Sequence, residues 1–188
     1  MKSDRGYWMQ TFTGRAFYFE DPRPDEIDIR DIAHGLSNLC RFGGHCKRFY
    51  SVAEHSVLVS LQVPREHALQ ALLHDATEAY VVDVPRPLKR LLGENYEAIE
   101  GRAWGAIAKA MGVPVAMDPS VKVADNTVLL AERDVLLGPT PIEWEWARGI
   151  APAKVLVYGY SPEVAKLLFL RRFAELTKCR LVDEALFN

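Results

Sequence analysis

Residues 68–89 read ALQALLHDATEAYVVDVPRPLK, and the organisation of the chain can be built outward from them. Ala68, Leu69, Leu72 and Leu73 recur at helical spacing, which predicts one helix over 65–80. Val84-Pro85-Arg86-Pro87 then closes that region, because each proline disfavours helix at the residue before it. Inside the apolar pattern stand two adjacent ionisable residues, His74 and Asp75. Burying both is costly unless something compensates them, and a divalent ion is the natural compensation. Imidazole with carboxylate suits Zn, Mn, Fe or Co, while the lack of a thiolate disfavours a structural zinc site.

Upstream, Ser51 with Glu54 three residues on is a capping-box start for a helix striped by Val52, Val57, Leu58 and Leu61 and stopped at Pro64. Before it come the loop RFGGHCKRFY (41–50), broken at Gly43-Gly44, and a helical rhythm over 29–40 at Ile29, Ile32, Ala33, Leu36 and Leu39. Two aromatic runs around Thr13-Gly14 predict a small β-hairpin over 8–19. Downstream, helices are expected over 96–111, 120–137 and 161–177, with Pro162 suited to a first turn. Some six or seven helices, one hairpin, no repeat and no alternation of strand with helix make an all-α domain spanning residues 1–188.

Adjacent residues on a helix diverge by about 100°, so His74 and Asp75 both reach one ion only from the edge of a face. Further ligands are expected from other helices. His55 in VAEHSVLVSL and Asp125 in VKVADNTVLL each interrupt an apolar seam where leucine would be expected. A lone histidine on such a face is more often a satisfied core residue, and a lone aspartate is more often solvated or capping. Together they follow the order H, H-D, D across three helices, and four such ligands leave room for water and substrate oxygens.

The segments YSVAEHSVLVS, ALLHDATEAYVVDVPRPLK and KVADN resemble the HD-domain phosphohydrolase superfamily, and they cover roughly the middle half of the chain. The run H-D-A-T-E followed by V-D-V-P-R-P-x-K looks like the compact branch containing bacterial 5′-deoxyribonucleotidases and phage dATP triphosphohydrolases. The resemblance implies a compact, all-α HD-domain bundle, commonly oligomeric, with His55, His74, Asp75 and Asp125 as ligands of one divalent transition ion (Co, Mn, Zn, Fe or Ni), and Mg in play with a triphosphate. The paired extra histidines of binuclear HD enzymes are not apparent, so the site is expected to be mononuclear. It makes Glu78, one turn beyond His74, the acid/base partner, and Asp83 the residue that orients water or serves the leaving group. Arg41 matches an arginine that precedes the first metal histidine and suits bidentate phosphate contacts. Phe42 is placed to stack on a base or sugar, and Lys89 to reach a phosphate.

The expected activity is hydrolysis of a 5′-deoxyribonucleoside monophosphate to nucleoside and phosphate. The alternatives are release of triphosphate from a dNTP and a non-catalytic nucleotide-binding role. The bland readings are a surface salt bridge for Arg41, a solvated Lys89, a surface Glu78 and a helix-end Asp83. His34 is expected near the core and His67 at the surface, and His45 sits in a glycine-rich loop within reach of substrate. Trp144 and Trp146 are expected to pack on the body or at a subunit contact.

The formal net charge of −2 speaks against a nucleic-acid polymer or membrane surface as partner, although local cations still serve a phosphate. Cys40, Cys46 and Cys179 are odd in number and show no C-x-x-C spacing, so free thiols are expected. The first ten residues lack a signal-peptide apolar core, and no apolar run has the length of a membrane span. A cytoplasmic protein fits these features.

Overall fold

Thr13-Gly14 turns the chain as predicted, with Gly14 at φ 84°, a conformation glycine adopts without steric cost. The turn joins β2 (Gly6–Gln10) to β3 (Ala16–Tyr18), antiparallel, with Trp8 opposite Tyr18. A two-residue strand β1 (Lys2–Ser3), outside the predicted hairpin, pairs with the other edge of β2. The computed structural model describes residues 2–178, so Cys179 lies outside the described residues. Cys40 and Cys46 are free.

The rest of the described chain is mostly helical: α1 (Ile29–Asn38), α2 (Val52–Ser60), α3 (Ala68–Leu72), α4 (Glu78–Val81), α5 (Arg86–Leu92), α6 (Glu94–Met111), α7 (Pro119–Leu136) and α8 (Pro162–Thr177). Asp28, Ser51, Asp118 and Ser161 cap α1, α2, α7 and α8, each accepting a backbone N–H of the first turn. None of these helices is long and apolar enough to cross a membrane, among the described residues.

The centre of the fold is α2, which packs against α1, α3, α7 and α8. Val52 to Ser56 are all buried, so this helix shows little amphipathic contrast. The predicted stripe fails at Leu61, which is exposed just past the helix end. Around α2 the core gathers Ile32 and Leu36 of α1, Leu72, Leu73, Ile107 of α6, and Phe169 and Leu170 of α8. Phe17 of the hairpin stacks on Tyr80 of α4 with ring centroids 4.0 Å apart, which ties the sheet to the segment carrying Glu78. Gly35 lets α1 approach that same segment: a Cβ there would lie 2.8 Å from the Ala79 Cβ.

The single helix expected over 65–80 is not formed. A 3-10 turn (Arg65–His67) leads into α3, which ends at Leu72, and α4 begins only at Glu78. Between them Ala76 and Glu78 donate to the carbonyls three residues back, Leu73 and Asp75. The physical reason lies in the histidine itself. His74 Nδ1 is 2.8 Å from the carbonyl oxygen of Ala71, the acceptor that the Asp75 N–H would need for α-helix to continue. With neither glycine nor proline in the run, the break leaves no trace in the hydrophobic pattern. The prolines of 84–87 do more than end a region, since Pro85 and Pro87 also open α5.

Only half of the capping box forms. Ser51 Oγ accepts the Glu54 N–H at 3.1 Å, but the Glu54 carboxylate turns to the loop before α8. There it accepts the N–H groups of Tyr158, Gly159 and Tyr160 at 2.9, 3.2 and 2.8 Å. Glu54→Ala is therefore expected to cost about 3 kcal/mol, the scale of losing hydrogen bonds to a buried charge, as read by urea unfolding. A loss below about 0.5 kcal/mol would show that this loop does not depend on Glu54.

Candidate metal centre

Three elements carry the four predicted ligands, and the structure groups His55, His74 and Asp125 as a possible metal cluster with Asp75 beside the two imidazoles. His55 comes from the middle of α2 and is fully buried. His74 and Asp75 come from the turn between α3 and α4, and Asp125 from α7. The ligand atoms of His55, His74 and Asp125 lie within 4.8 Å of one another. Asp75 Oδ2 stands 3.2 Å from His74 Nε2 and 3.6 Å from His55 Nε2, and Asp125 Oδ1 is 3.4 Å from His55 Nε2.

The orientation of the two imidazoles fits a cation. Both Nε2 atoms are buried and make no hydrogen bond. Each ring is held from the other side: His74 Nδ1 by the Ala71 carbonyl, and His55 Nδ1 at 2.6 Å from Glu132 Oε1. A ring that donates through Nδ1 presents a bare lone pair at Nε2. Two such lone pairs beside two carboxylates form a donor set suited to a divalent transition ion.

Charge around the cluster is uneven. Burial disfavours ionisation of Asp75, but His74 and His55 outweigh it and hold that carboxyl far below the usual range. Asp125 is likewise held low against burial, chiefly by its contact with His55. Without an ion, burial and Arg41 oppose a charge on His55, while Glu132 and Asp125 favour it and raise its pKa to about 9, so an ion binding there would displace the Nε2 proton to reach the lone pair. Glu78 goes the other way: burial first, then Asp75 and Asp83, push its pKa well up, and its Oε2 makes no hydrogen bond. Burial also raises Asp83, against the pull of Arg41.

The remaining predicted residues divide. Lys89 lines a cavity of about 400 Å³ together with His74, Asp75 and Asp125, and it pairs with Glu100 at 2.7 Å. Trp104, Val115 and Met117 give that cavity an apolar wall. Arg41 is buried beneath the cluster, its Nε 3.1 Å from Glu132 Oε2 and its Nη1 3.6 Å from Asp75 Oδ2. Phe42 packs on the cluster of Tyr50, Leu136 and Val157, with the Arg41 guanidinium 5.5 Å from its ring centre. Neither Phe42 nor Arg41 is among the residues that line the cavity. His45 is exposed, and His34 is half-buried and stacked on Phe12. His67 is half-buried, 3.5 Å from Asp118. Trp144 is half-buried with Arg133 over its ring, whereas Trp146 is exposed with Arg86 over its ring.

Three residues of the site escaped the sequence reading. Glu132 lies seven residues beyond Asp125, two turns along the same face of α7, and that spacing was a usable signal. Arg86 donates to Asp125 Oδ2 at 2.8 Å, and Lys122 to the same oxygen at 2.7 Å. The sequence had assigned Arg86 only to a proline-rich stop.

Val82, between Glu78 and Asp83, has φ 64° and ψ 160°, a region costly for a β-branched residue. Its side chain is exposed, so little packing is lost with it. Val82→Gly is expected to raise stability by about 1 kcal/mol, from relief of strain partly offset by added unfolded-state freedom. A thermal melt showing destabilisation would mean that the conformation is not strained.

Across most of its length the chain is similar to known proteins. Over 174 residues it is 42% identical to the protein YfdR of Escherichia coli (strain K12), covering 92% of this chain and 97% of that protein. Over 167 residues it is 33% identical to a protein of Rhodobacter capsulatus, covering 82% and 85% respectively. Both relatives are described as uncharacterized proteins. No protein-family model matches the chain.

Proposed function

The chain belongs to the family of Escherichia coli YfdR, and we propose that it is a metal-dependent phosphohydrolase of the HD type acting on a 5′-deoxyribonucleotide. One observation carries this reading: two buried imidazole Nε2 atoms without hydrogen-bond partners face the carboxylates of Asp75 and Asp125. His55, His74, Asp75 and Asp125 would hold the ion. When bound, such an ion lowers the pKa of a coordinated water toward neutrality and offsets phosphoryl charge.

The other residues supply what that chemistry needs. Glu78, with its unpartnered Oε2 and a pKa raised by burial beside Asp75 and Asp83, holds a proton more tightly than a free glutamate and is the proton-transfer group. Asp83 orients water or serves the leaving group. Lys89 provides positive charge for a phosphate, with Arg41 adding to it from beneath Asp75, and the wall of Trp104, Val115 and Met117 provides apolar surface for a base or sugar. The bound substrate is thus oriented between an apolar wall and a charged floor.

A second reading, hydrolysis of a dNTP to nucleoside and triphosphate, is favoured by a different observation. Besides Lys89, the exposed side chains of Arg86 and Lys122 both reach Asp125 Oδ2. Three cations exceed what one monophosphate calls for. Chromatography of products from dNMP and dNTP panels, with several divalent metals, separates the two. Nucleoside with inorganic phosphate supports the monophosphatase, and nucleoside with intact triphosphate supports the second reading. No turnover on either panel would remove both.

A further inference from the structure

A carboxylate with no exposed surface needs a reason to be ionised where it is. Glu132 of α7 is 0% exposed, and both of its oxygens are in use. Oε1 receives the Tyr50 hydroxyl at 2.7 Å and faces His55 Nδ1 at 2.6 Å, while Oε2 receives Arg41 Nε at 3.1 Å. Arg41 in turn reaches Asp75. A closed chain of contacts therefore runs from His55 to Glu132, on to Arg41 and Asp75, and back to His55.

We propose that Glu132 is the positioning residue of the metal centre, fixing the Nδ1–H form and ring orientation of His55 and, through Arg41, the placement of Asp75. This rests on the metal-centre reading above. Its physical basis is general: an imidazole ligand that donates its far N–H to a carboxylate is locked in one tautomer and is more basic toward the ion. Through Arg41, Glu132 couples a ligand on α2 to one on the α3–α4 turn, so its charge acts on two of the four donors. Arg41 then has a structural duty besides any contact with phosphate, since without it Glu132 and Asp75 would lose their shared cation. Tyr50 stops Glu132 from rotating away from His55.

The test is cobalt affinity, read from visible absorption and calorimetry on protein stripped with a chelator, with melting of the stripped protein as a check on folding. Glu132→Gln keeps the shape and removes the charge. It is expected to weaken cobalt binding by about 10- to 100-fold, the range for loss of such an outer carboxylate. Tyr50→Phe is the milder variant, expected to weaken binding about threefold while Glu132 keeps its charge. A folded Glu132→Gln protein that binds cobalt within twofold of wild type overturns the proposal. If that variant does not fold, unchanged affinity in Tyr50→Phe overturns it instead. Wild-type protein that takes up no cobalt, manganese or zinc removes the metal-centre reading itself, and the proposal with it.

Discussion

Replacing His74 with alanine is expected to abolish nucleotide hydrolysis, with kcat/KM falling by about 10³-fold or more, while the protein stays folded. The fall corresponds to roughly 4 kcal/mol of lost transition-state stabilisation. The fold should survive because His74 contributes little to it: its Nδ1 bonds the Ala71 carbonyl, and its Nε2 makes no hydrogen bond. One neutral hydrogen bond contributes only about 1 kcal/mol. The Ala71 carbonyl freed by the substitution is the one that the Asp75 N–H can then take, so local helix should be gained rather than lost. Ligand linkage gives an independent readout. An ion at about 100 times its dissociation constant stabilises the folded state by about 2.7 kcal/mol. Wild type should therefore melt higher with added cobalt, and His74→Ala should lose most of that rise. A variant that keeps both turnover and the metal-dependent rise would place the ion elsewhere.

How far the sequence reading reached depended on the kind of signal. Elements marked by caps and breakers came out close to their observed limits: Ser51, Pro162 and Thr13-Gly14 each act through a local hydrogen bond or a fixed backbone angle. The break at His74 was invisible because a side chain, not a breaker residue, takes the helix acceptor. His55, His74 and Asp125, whose side chains the structure brings together, stood out as polar interruptions of apolar seams. Glu132 was legible in principle from its seven-residue spacing, yet read alone in AERD it looks like any charged helix end. Arg86 and Phe42 depended on which way a loop turns. Phe42 has φ 55°, and its ring sits on Tyr50, Leu136 and Val157. No periodicity encodes such a turn in a residue other than glycine.

Glu78→Gln is expected to lower kcat by about 10²- to 10⁴-fold, the usual scale for a lost proton-transfer group, and at the same time to make the protein more stable. The two effects have one cause. Glu78 is buried beside the like charges of Asp75 and Asp83, and its raised pKa records the cost of ionising it there. A carboxyl whose pKa is higher in the folded than in the unfolded chain binds more protons when folded, so its contribution to stability falls as pH rises above the ordinary glutamate range. Glutamine has no such dependence. In metal-stripped protein the gain from Glu78→Gln should thus be small near pH 4 and grow toward neutrality, measured by urea unfolding across that interval. Cobalt affinity should be nearly unchanged, because Glu78 is not one of the four ligands, and that separates this variant from His74→Ala. A variant that keeps kcat within threefold of wild type would move the proton-transfer role to Asp83. A variant destabilised at every pH would show that the buried carboxyl has a partner in the fold and is held there for stability, not for proton transfer.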